Sequence, residues 1–339
     1  VRGVGYPAVF FHPGRGIKTL VHGDDYVSAG EYQDLDWLES ELSKQYEIKT
    51  QRTRPREDGG YVEAKILNCI VRRTQHGYEL EADPRHAELL IQELTKDESR
   101  AISAPGSAEV SEEKEGEELK GEQVSRYRAL AARLNYLSLD RPDMQYAVKE
   151  ACREMSSPTT GSWSRIERMA KYLKGKPRLV WRFGWQDSSA TFDVFTDANW
   201  AGCRRTRKST SGGCIMIGVH CIKPWAKTQS LIAKNSAESE PYAFVKASTE
   251  ALGIMSLAKE LGDELKTRVH VDAAAAKGIV ERSGLDKVRH IYVGVLWLQE
   301  QAARERVPLH KIDGAQTTSG DYDSSSGKEE QRQLLSYTQ

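Results

Sequence analysis

The sequence has no apolar run long enough to cross a membrane. No stretch approaches the ~18 uncharged apolar residues that a spanning helix needs, so no membrane partner is expected. It also lacks the apolar core of a secretory signal, because Val1–Leu20 is interrupted by Arg2, Arg15 and Lys18. Cysteine is scarce and odd in number: five residues, at 69, 152, 203, 214 and 221, with no C-x-x-C pair. A disulfide framework and a zinc site are therefore not expected, and a reducing compartment is implied. Net charge is missing too, with 49 Lys and Arg against 49 Asp and Glu. That excludes the overall basicity of a general nucleic-acid binder but leaves room for local basic patches. What is present is 339 residues, 39% of them hydrophobic, enough for two or three domains. The first residue is Val, which reads as a piece of a longer chain.

The clearest boundary is compositional. Pro105–Ser125 carries seven Glu and three Gly and no aromatic residue. Such a run buries too little apolar surface to offset its ordering entropy, so it is expected to be an exposed linker. Thr317–Lys328 is a second polar stretch, expected to be disordered. Before the linker, Lys18–Val27 reads as a hairpin with Gly23-Asp24-Asp25 at its turn. Gln33–Gln45 and Arg85–Leu94 have helical spacing. Ala64–Arg72 and Tyr78–Glu81 read as two strands around Gln75-His76-Gly77. Residues 126–175 are expected to be helical, broken at Arg141-Pro142 and Ser157-Pro158. Beyond them, the pattern predicts strands at Thr191–Thr196, Gly212–Ile222 and Trp225–Ala233. A long helix over Ser236–Leu261 follows, then a strand at Arg268–Val271, an Ala-rich helix, a helix over Val288–Arg306 and a last strand at Pro308–Ile312. Three strands followed by alternating units describe an α/β fold with a mixed sheet and helices on it.

Acidic residues punctuate this last region. Asp197 closes its first strand, Glu238 and Glu240 lie in the first turn of the long helix, and Asp272 follows the short fourth strand. Strand ends and helix starts of one sheet can converge on one edge. Carboxylates meeting there repel unless cations sit between them, and hard oxygen ligands suit Mg²⁺ or Mn²⁺. Two such ions can activate a water and stabilise the leaving oxygen of a phosphodiester. The same residues also fit plainer roles: Asp197 as a turn residue, the glutamates as partners of the helix macrodipole, and Asp272 as an N-cap.

These motifs, in order, resemble the ribonuclease H domain of copia-type LTR retrotransposon Pol polyproteins. TDANWAG is similar to the family's first catalytic strand end and RKSTSGG to its next strand start. KPWAKTQSLIAKNSAESEPYA resembles its third strand and catalytic helix, VHVDAAAAKGIV its third acidic motif, and VRHIYVGVLWLQEQ its His-bearing helix, with His290 at the His. Upstream, RYRALAARLNYLSLDRPDMQYAVKEACREMSSPT and MAKYLKG resemble the connection segment. VHGDDYVSAG resembles the reverse-transcriptase palm motif, with Asp24 and Asp25 kept and His22 where the family has Tyr. The resemblance covers roughly residues 6–315.

The resemblance implies a partial palm and thumb-like region over 1–104, an acidic linker over 105–125, a helical connection over 126–187, a ribonuclease H-like domain over 188–315 and a polar tail over 316–339. It implies Asp197, Glu240 and Asp272 as catalytic metal ligands, with Glu240 preferred to Glu238 because Ala243 supplies the small residue the family places three positions later. The family's fourth acidic residue aligns with Gly320, which leaves Asp321, one position on, as the fourth candidate. The implied cofactor is Mg²⁺ (or Mn²⁺), two ions. The implied partners are RNA:DNA hybrids, RNA and DNA, and the rest of the Pol polyprotein. The implied place is intracellular, in a cytoplasmic particle or the nucleus. A hybrid presents two phosphate backbones, so Arg204, Arg205, Arg207 and Lys208 after Asp197, and Lys227, Gln229 and Lys234 around the third strand, are the candidate phosphate contacts. A solvated basic loop is the plainer reading of that run. Trp200 and Trp225 are expected to pack or to meet a sugar face. Since the palm lacks its partner Asp here, polymerase activity is expected only of the full-length parent. A retroelement remnant that folds and binds nucleic acid without chemistry is the alternative.

Overall fold

A computed structural model describes residues 1–53, 62–106, 116–203, 205–272, 274–282 and 293–312. Three sheets and eight α-helices are present among them. No described helix is long and apolar enough to cross a membrane.

The N-terminal sheet is an antiparallel meander of β1 (Val9–His12), β2 (Ile17–His22) and β3 (Asp25–Ala29). The expected hairpin is there, turning at Gly23 with φ +60°, and α1 (Tyr32–Ser43) follows it. Asp24 and Asp25 are exposed at this turn.

The second sheet corrects two expectations. Ala64–Arg72 is not one strand but two, β4 (Glu63–Ile66) and β5 (Cys69–Thr74). Leu67 and Asn68 sit between them at φ 49° and 70°, the paired left-handed conformations of a tight hairpin turn. The order continues through β6 (Gly77–Glu81) to β7 (Val180–Gly184). β7 falls in the segment expected to be helical. Its registration on β6, Glu81 opposite Val180, is a pairing across nearly a hundred residues that no local pattern announces.

The helical layer forms as expected: α2 (Pro84–Leu94), α3 (Glu122–Leu137), a 3₁₀ turn at Pro142–Met144, α4 (Gln145–Arg153) and α5 (Thr160–Gly175). Asp83 caps α2, with Pro84 at its first position. Thr159 and Ser162 form a reciprocal capping box on α5. Tyr127, Leu130, Leu134, Met144, Ile166, Met169 and Leu173 make one continuous core. Arg141 lies inside this layer, 1% exposed, with both Asp143 oxygens at 3.0 and 2.7 Å. The acidic stretch is only partly a linker. Residues 107–115 lie outside the described residues, but Pro105 is buried, Leu119 joins the core and Glu122–Ser125 are already helix.

The third sheet has the order β10-β9-β8-β11-β12. β8 (Thr191–Asn199), β9 (Thr210–Ile217) and β10 (His220–Thr228) are antiparallel, while β11 (Lys266–Val271) and β12 (Leu309–Lys311) run parallel to β8. Here too an expected single strand, Gly212–Ile222, is split. Gly218 at φ +57° turns the chain, and β10 ends at Thr228 rather than Ala233. The helices are α6 (Ser236–Glu260), α7 (Ala274–Glu281) and α8 (Val293–Ala303); the expected start of the last, at Val288, lies outside the described residues. α6 covers one face of the sheet, packing Ala243, Phe244, Ala247 and Ala251 on Phe192, Val194, Ile215 and Val269. Small residues on the helix let it approach closely while Phe192 and Phe244 fill the layer.

Gly213 shows how tight that layer is. A Cβ there would stand 2.3 Å from the Trp225 ring and 2.4 Å from the Phe195 carbonyl oxygen. Backbone cannot yield as a flexible side chain can, so Gly213→Ala is expected to cost about 1–3 kcal/mol. A lowered urea midpoint at an unchanged slope is the measurement; an unchanged midpoint would contradict this packing.

The N-terminal sheet is fastened to the far end of α6. Glu260 accepts the backbone N–H groups of Val4, Gly5 and Tyr6 at 3.0, 2.6 and 3.0 Å, and the Tyr6 hydroxyl donates to the Gly253 carbonyl at 3.0 Å. At 1.5 Å per residue this anchor is ~30 Å along the helix from Glu240.

Candidate metal centre

Two parallel strands and one helix start converge on three carboxylates. β11 lies beside β8 with His270 opposite Phe195. Two residues further along each, Asp272 and Asp197 are at the same level. α6 begins over this edge, capped by Asn235, whose side chain accepts from the Glu238 N–H at 3.0 Å. Glu238 and Glu240 are ~200° apart around the helix axis, so only one of them can face the strand ends. Glu238 faces away: its oxygens take the Lys234 backbone N–H at 2.8 Å and the Tyr242 hydroxyl at 3.0 Å. Glu240 faces in. One oxygen each from Asp197, Glu240 and Asp272 lie within 4.8 Å of one another, the only such cluster of three among the described residues.

The electrostatics of the trio are unfavourable as it stands. Glu240 is 5% exposed, and its Oε2 is buried with no hydrogen-bond partner. Burial, then the charges of Asp197 and Asp272, push its carboxyl up to about 8. Burial and Asp272 likewise raise Asp197, against a backbone donation from Ala198 that lowers it. Uncompensated buried carboxylates of this kind are costly. An orphaned oxygen beside two more carboxylates is the donor set that a hard divalent cation satisfies.

The remaining residues expected at the site separate into three groups. Lys227, near the end of β10, and Lys234 and Arg207 (φ 55°), on loops beside this edge, are exposed; Lys208 is half-buried. Two others are corrected. Arg205 is held in a bidentate pair by Glu154 at 2.9 and 3.2 Å, so its charge fastens the loop to α4 rather than facing a phosphate. Gln229 is buried, donating to Ser211 Oγ at 3.0 Å and to the Ser239 carbonyl at 2.8 Å; it ties β10 to the start of α6. Arg204, His290, Gly320 and Asp321 lie outside the described residues. Trp225 packs in the core, and Trp200 is exposed. Asp24 and Asp25 are joined by no third acidic residue in a metal-sized cluster among the described residues.

Helix α4 contributes residues that sequence reasoning passed over. Lys149 Nζ donates to Thr210 Oγ1 at 2.6 Å. Arg153 Nη2 donates to Cys203 Sγ at 2.8 Å and to Thr206 Oγ1 at 2.9 Å. With Glu154 they brace the loop that follows Asp197. The polar face of α4 was legible; its partners, some fifty to sixty residues away, were not.

No family model matches the chain. An uncharacterized mitochondrial protein of Arabidopsis thaliana, AtMg00810, is 34% identical over 126 residues, 37% of this chain and 52% of that protein. The retrovirus-related Pol polyprotein from transposon RE2 of the same plant is 33% identical over 139 residues, 41% of this chain and 10% of the polyprotein. The retrovirus-related Pol polyprotein from transposon TNT 1-94 of Nicotiana tabacum is 25% identical over 306 residues, 87% of this chain and 22% of the polyprotein. The chain thus spans about half the length of the first and a quarter or less of the other two. Among solved structures, a foamy viral protease-reverse transcriptase, in complex with dsDNA, shares the fold at TM-score 0.54 and 13% identity, over 87% of this chain and 55% of that one.

Proposed function

We propose that this chain, which is similar to retrovirus-related Pol polyproteins of copia-type transposons, acts over residues 188–315 as a ribonuclease H, cutting the RNA strand of RNA:DNA hybrids by metal-assisted hydrolysis. The observation that carries the reading is the convergence of Asp197, Glu240 and Asp272, with Oε2 of the buried Glu240 left without a hydrogen-bond partner. These three would hold Mg²⁺ or Mn²⁺, and Asp321 is the proposed fourth ligand for a second ion. When bound, the ions activate water and offset charge on the leaving oxygen.

The chain's own groups hold that chemistry in place. The Ala198 N–H donates to the carboxylates of Asp197 and Glu240 and favours their charged forms. Gln229 and Asn235 lock the start of α6, so Glu240 is presented from a rigid helix rather than a loop. Arg207, Lys208, Lys227 and Lys234 are proposed to draw the phosphate backbones to this edge. Polymerase activity is proposed only for the full-length parent, because Asp24 and Asp25 are the sole parts of that site in this chain that the palm motif identifies.

The test is the purified chain with a hybrid labelled on either strand. The expected result is Mg²⁺- or Mn²⁺-dependent cutting of the RNA strand, an intact DNA strand, no activity in EDTA and no primer extension. Asp321→Asn is expected to raise the Mg²⁺ concentration that half-activates cleavage. An uncut hybrid in both metals would overturn the reading and favour a remnant without chemistry.

A further inference from the structure

Beside the carboxylates is an apolar surface that neither folding nor hydrolysis accounts for. Trp200, Leu231 and Ile232 are 46%, 42% and 57% exposed. They sit on two loops at the same edge of the sheet as the metal centre: Trp200 is three residues beyond Asp197, and Leu231 and Ile232 precede the cap of the helix that carries Glu240. The loops are joined, because Trp200 Nε1 donates to the Ala233 carbonyl at 3.0 Å. The second loop is also pinned at both ends. Gln229 bonds Ser211 and Ser239 on one side, and the Lys234 N–H bonds Glu238 on the other. A pinned loop that still holds two aliphatic side chains in water marks an interaction surface rather than slack chain.

The charge around this ledge selects its occupant. Residues 199–209 and 223–235 together carry seven Lys and Arg and no Asp or Glu, of which Arg205 and Lys223 are paired with Glu154 and Glu250. Arg207, Lys227 and Lys234 are exposed within them. Exposed apolar side chains set among cations are the complement of a nucleic-acid strand, which offers phosphates alongside the apolar faces of its sugars. A protein segment would need dense acidic charge to match it.

We infer that Trp200, Leu231 and Ile232 form an apolar ledge on which one strand of a bound nucleic-acid duplex rests its sugar faces while Arg207, Lys227 and Lys234 take its phosphates. The inference rests on the ribonuclease H reading for its substrate but not for its chemistry. The ledge supplies affinity that does not depend on salt; the cations supply affinity that does.

The test is equilibrium binding of a fluorescein-labelled RNA:DNA hybrid to the full chain in EDTA, over a series of salt concentrations. Leu231→Ser with Ile232→Ser is expected to weaken binding roughly tenfold at every salt concentration, through lost apolar burial, with the slope of log Kd against log salt unchanged. Lys227→Ala with Lys234→Ala is expected to flatten that slope by about 1.4–1.8. Val219→Ser, exposed on the β9–β10 turn, is expected to bind as the parent does. Because Leu231 and Ile232 are exposed, the serine variant should melt with the parent. If it does not, Ile232→Ser alone replaces it, with a smaller loss at the same slope. Parental affinity in the serine variant, or a loss that appears only as a changed slope, overturns the ledge. So does a parent that binds no hybrid but binds an upstream Pol segment through these residues, which would make the ledge a protein contact. No cleavage is read here: a parent that binds the hybrid through the ledge and leaves it uncut overturns the nuclease reading and leaves the ledge standing.

Discussion

Asp197→Asn is expected to lower Mg²⁺-dependent hybrid cleavage by about a thousandfold or more and, in EDTA, to raise the melting temperature. Both effects have one origin. Asp197 supplies one of three inward oxygens, and its amide replacement keeps shape while removing the charge that draws a divalent ion. Losing several kcal/mol of charge stabilisation in the transition state is a rate effect of that order. In the metal-free chain the same charge is a liability. Burial first, then Asp197 and Asp272, raise Glu240 from 4.5 to about 8. The folded chain therefore binds more protons than the unfolded chain between those values. The contribution of this group to the stability of the metal-free protein is fully present below about pH 4.5 and is lost as pH rises through about 8. Removing the charge of Asp197 lessens that loss. Mg²⁺ should raise the melting temperature of the parent and leave that of Asp197→Asn nearly unmoved. Thermal melts from about pH 5 to about pH 8, with and without Mg²⁺, check each point. A variant that cleaves like the parent, or an EDTA melt independent of pH, would remove Asp197 from the centre.

Arg141→Ala is expected to cost about 3–5 kcal/mol, the largest effect on stability away from the metal centre. Arg141 is 1% exposed. Its fork takes both Asp143 oxygens, at 3.0 and 2.7 Å, and its Nη1 reaches the Pro177 carbonyl at 3.4 Å. The Tyr172 hydroxyl from α5 also donates to Asp143, at 2.7 Å. The pair thus joins the turn after α3, the start of α4 and the end of α5. Alanine would leave the Asp143 carboxylate shielded from water with one neutral donor, and the cost is that stranded charge rather than the lost contact alone. Replacing both partners, Arg141→Met with Asp143→Leu, should recover most of the stability, since matched apolar side chains carry no desolvation penalty. Urea unfolding of the three proteins measures this. A double variant as unstable as Arg141→Ala would mean that packing of the guanidinium, not charge, governs the site.

The sequence determined much of this protein on its own, wherever the cause was local. The period of apolar residues placed α1, α2, α5 and α6 to within a few residues. Acidic residues at two strand ends and one helix start were legible as Asp197, Asp272 and the Glu238/Glu240 pair, because a strand that stops and a helix that begins both leave recognisable signals; the choice of Glu240 came from the family resemblance. Where the chain reverses within two residues, the signal failed. Leu67-Asn68 and Gly218-Val219 divide runs that read as single strands, because left-handed residues, both in the first turn and Gly218 alone in the second, can hide inside an unbroken β-prone stretch. Only the tertiary structure decided matters of distance and facing. It turned Glu240 inward and Glu238 outward, gave β7 to the second sheet and buried Leu119 at the end of an acidic run. It also took Arg205 and Gln229 away from the phosphates, because Glu154, Ser211 and Ser239 reach them first. A side chain's charge is written in the sequence; whether that charge is spent on a neighbour is fixed only when distant segments are brought within hydrogen-bonding reach.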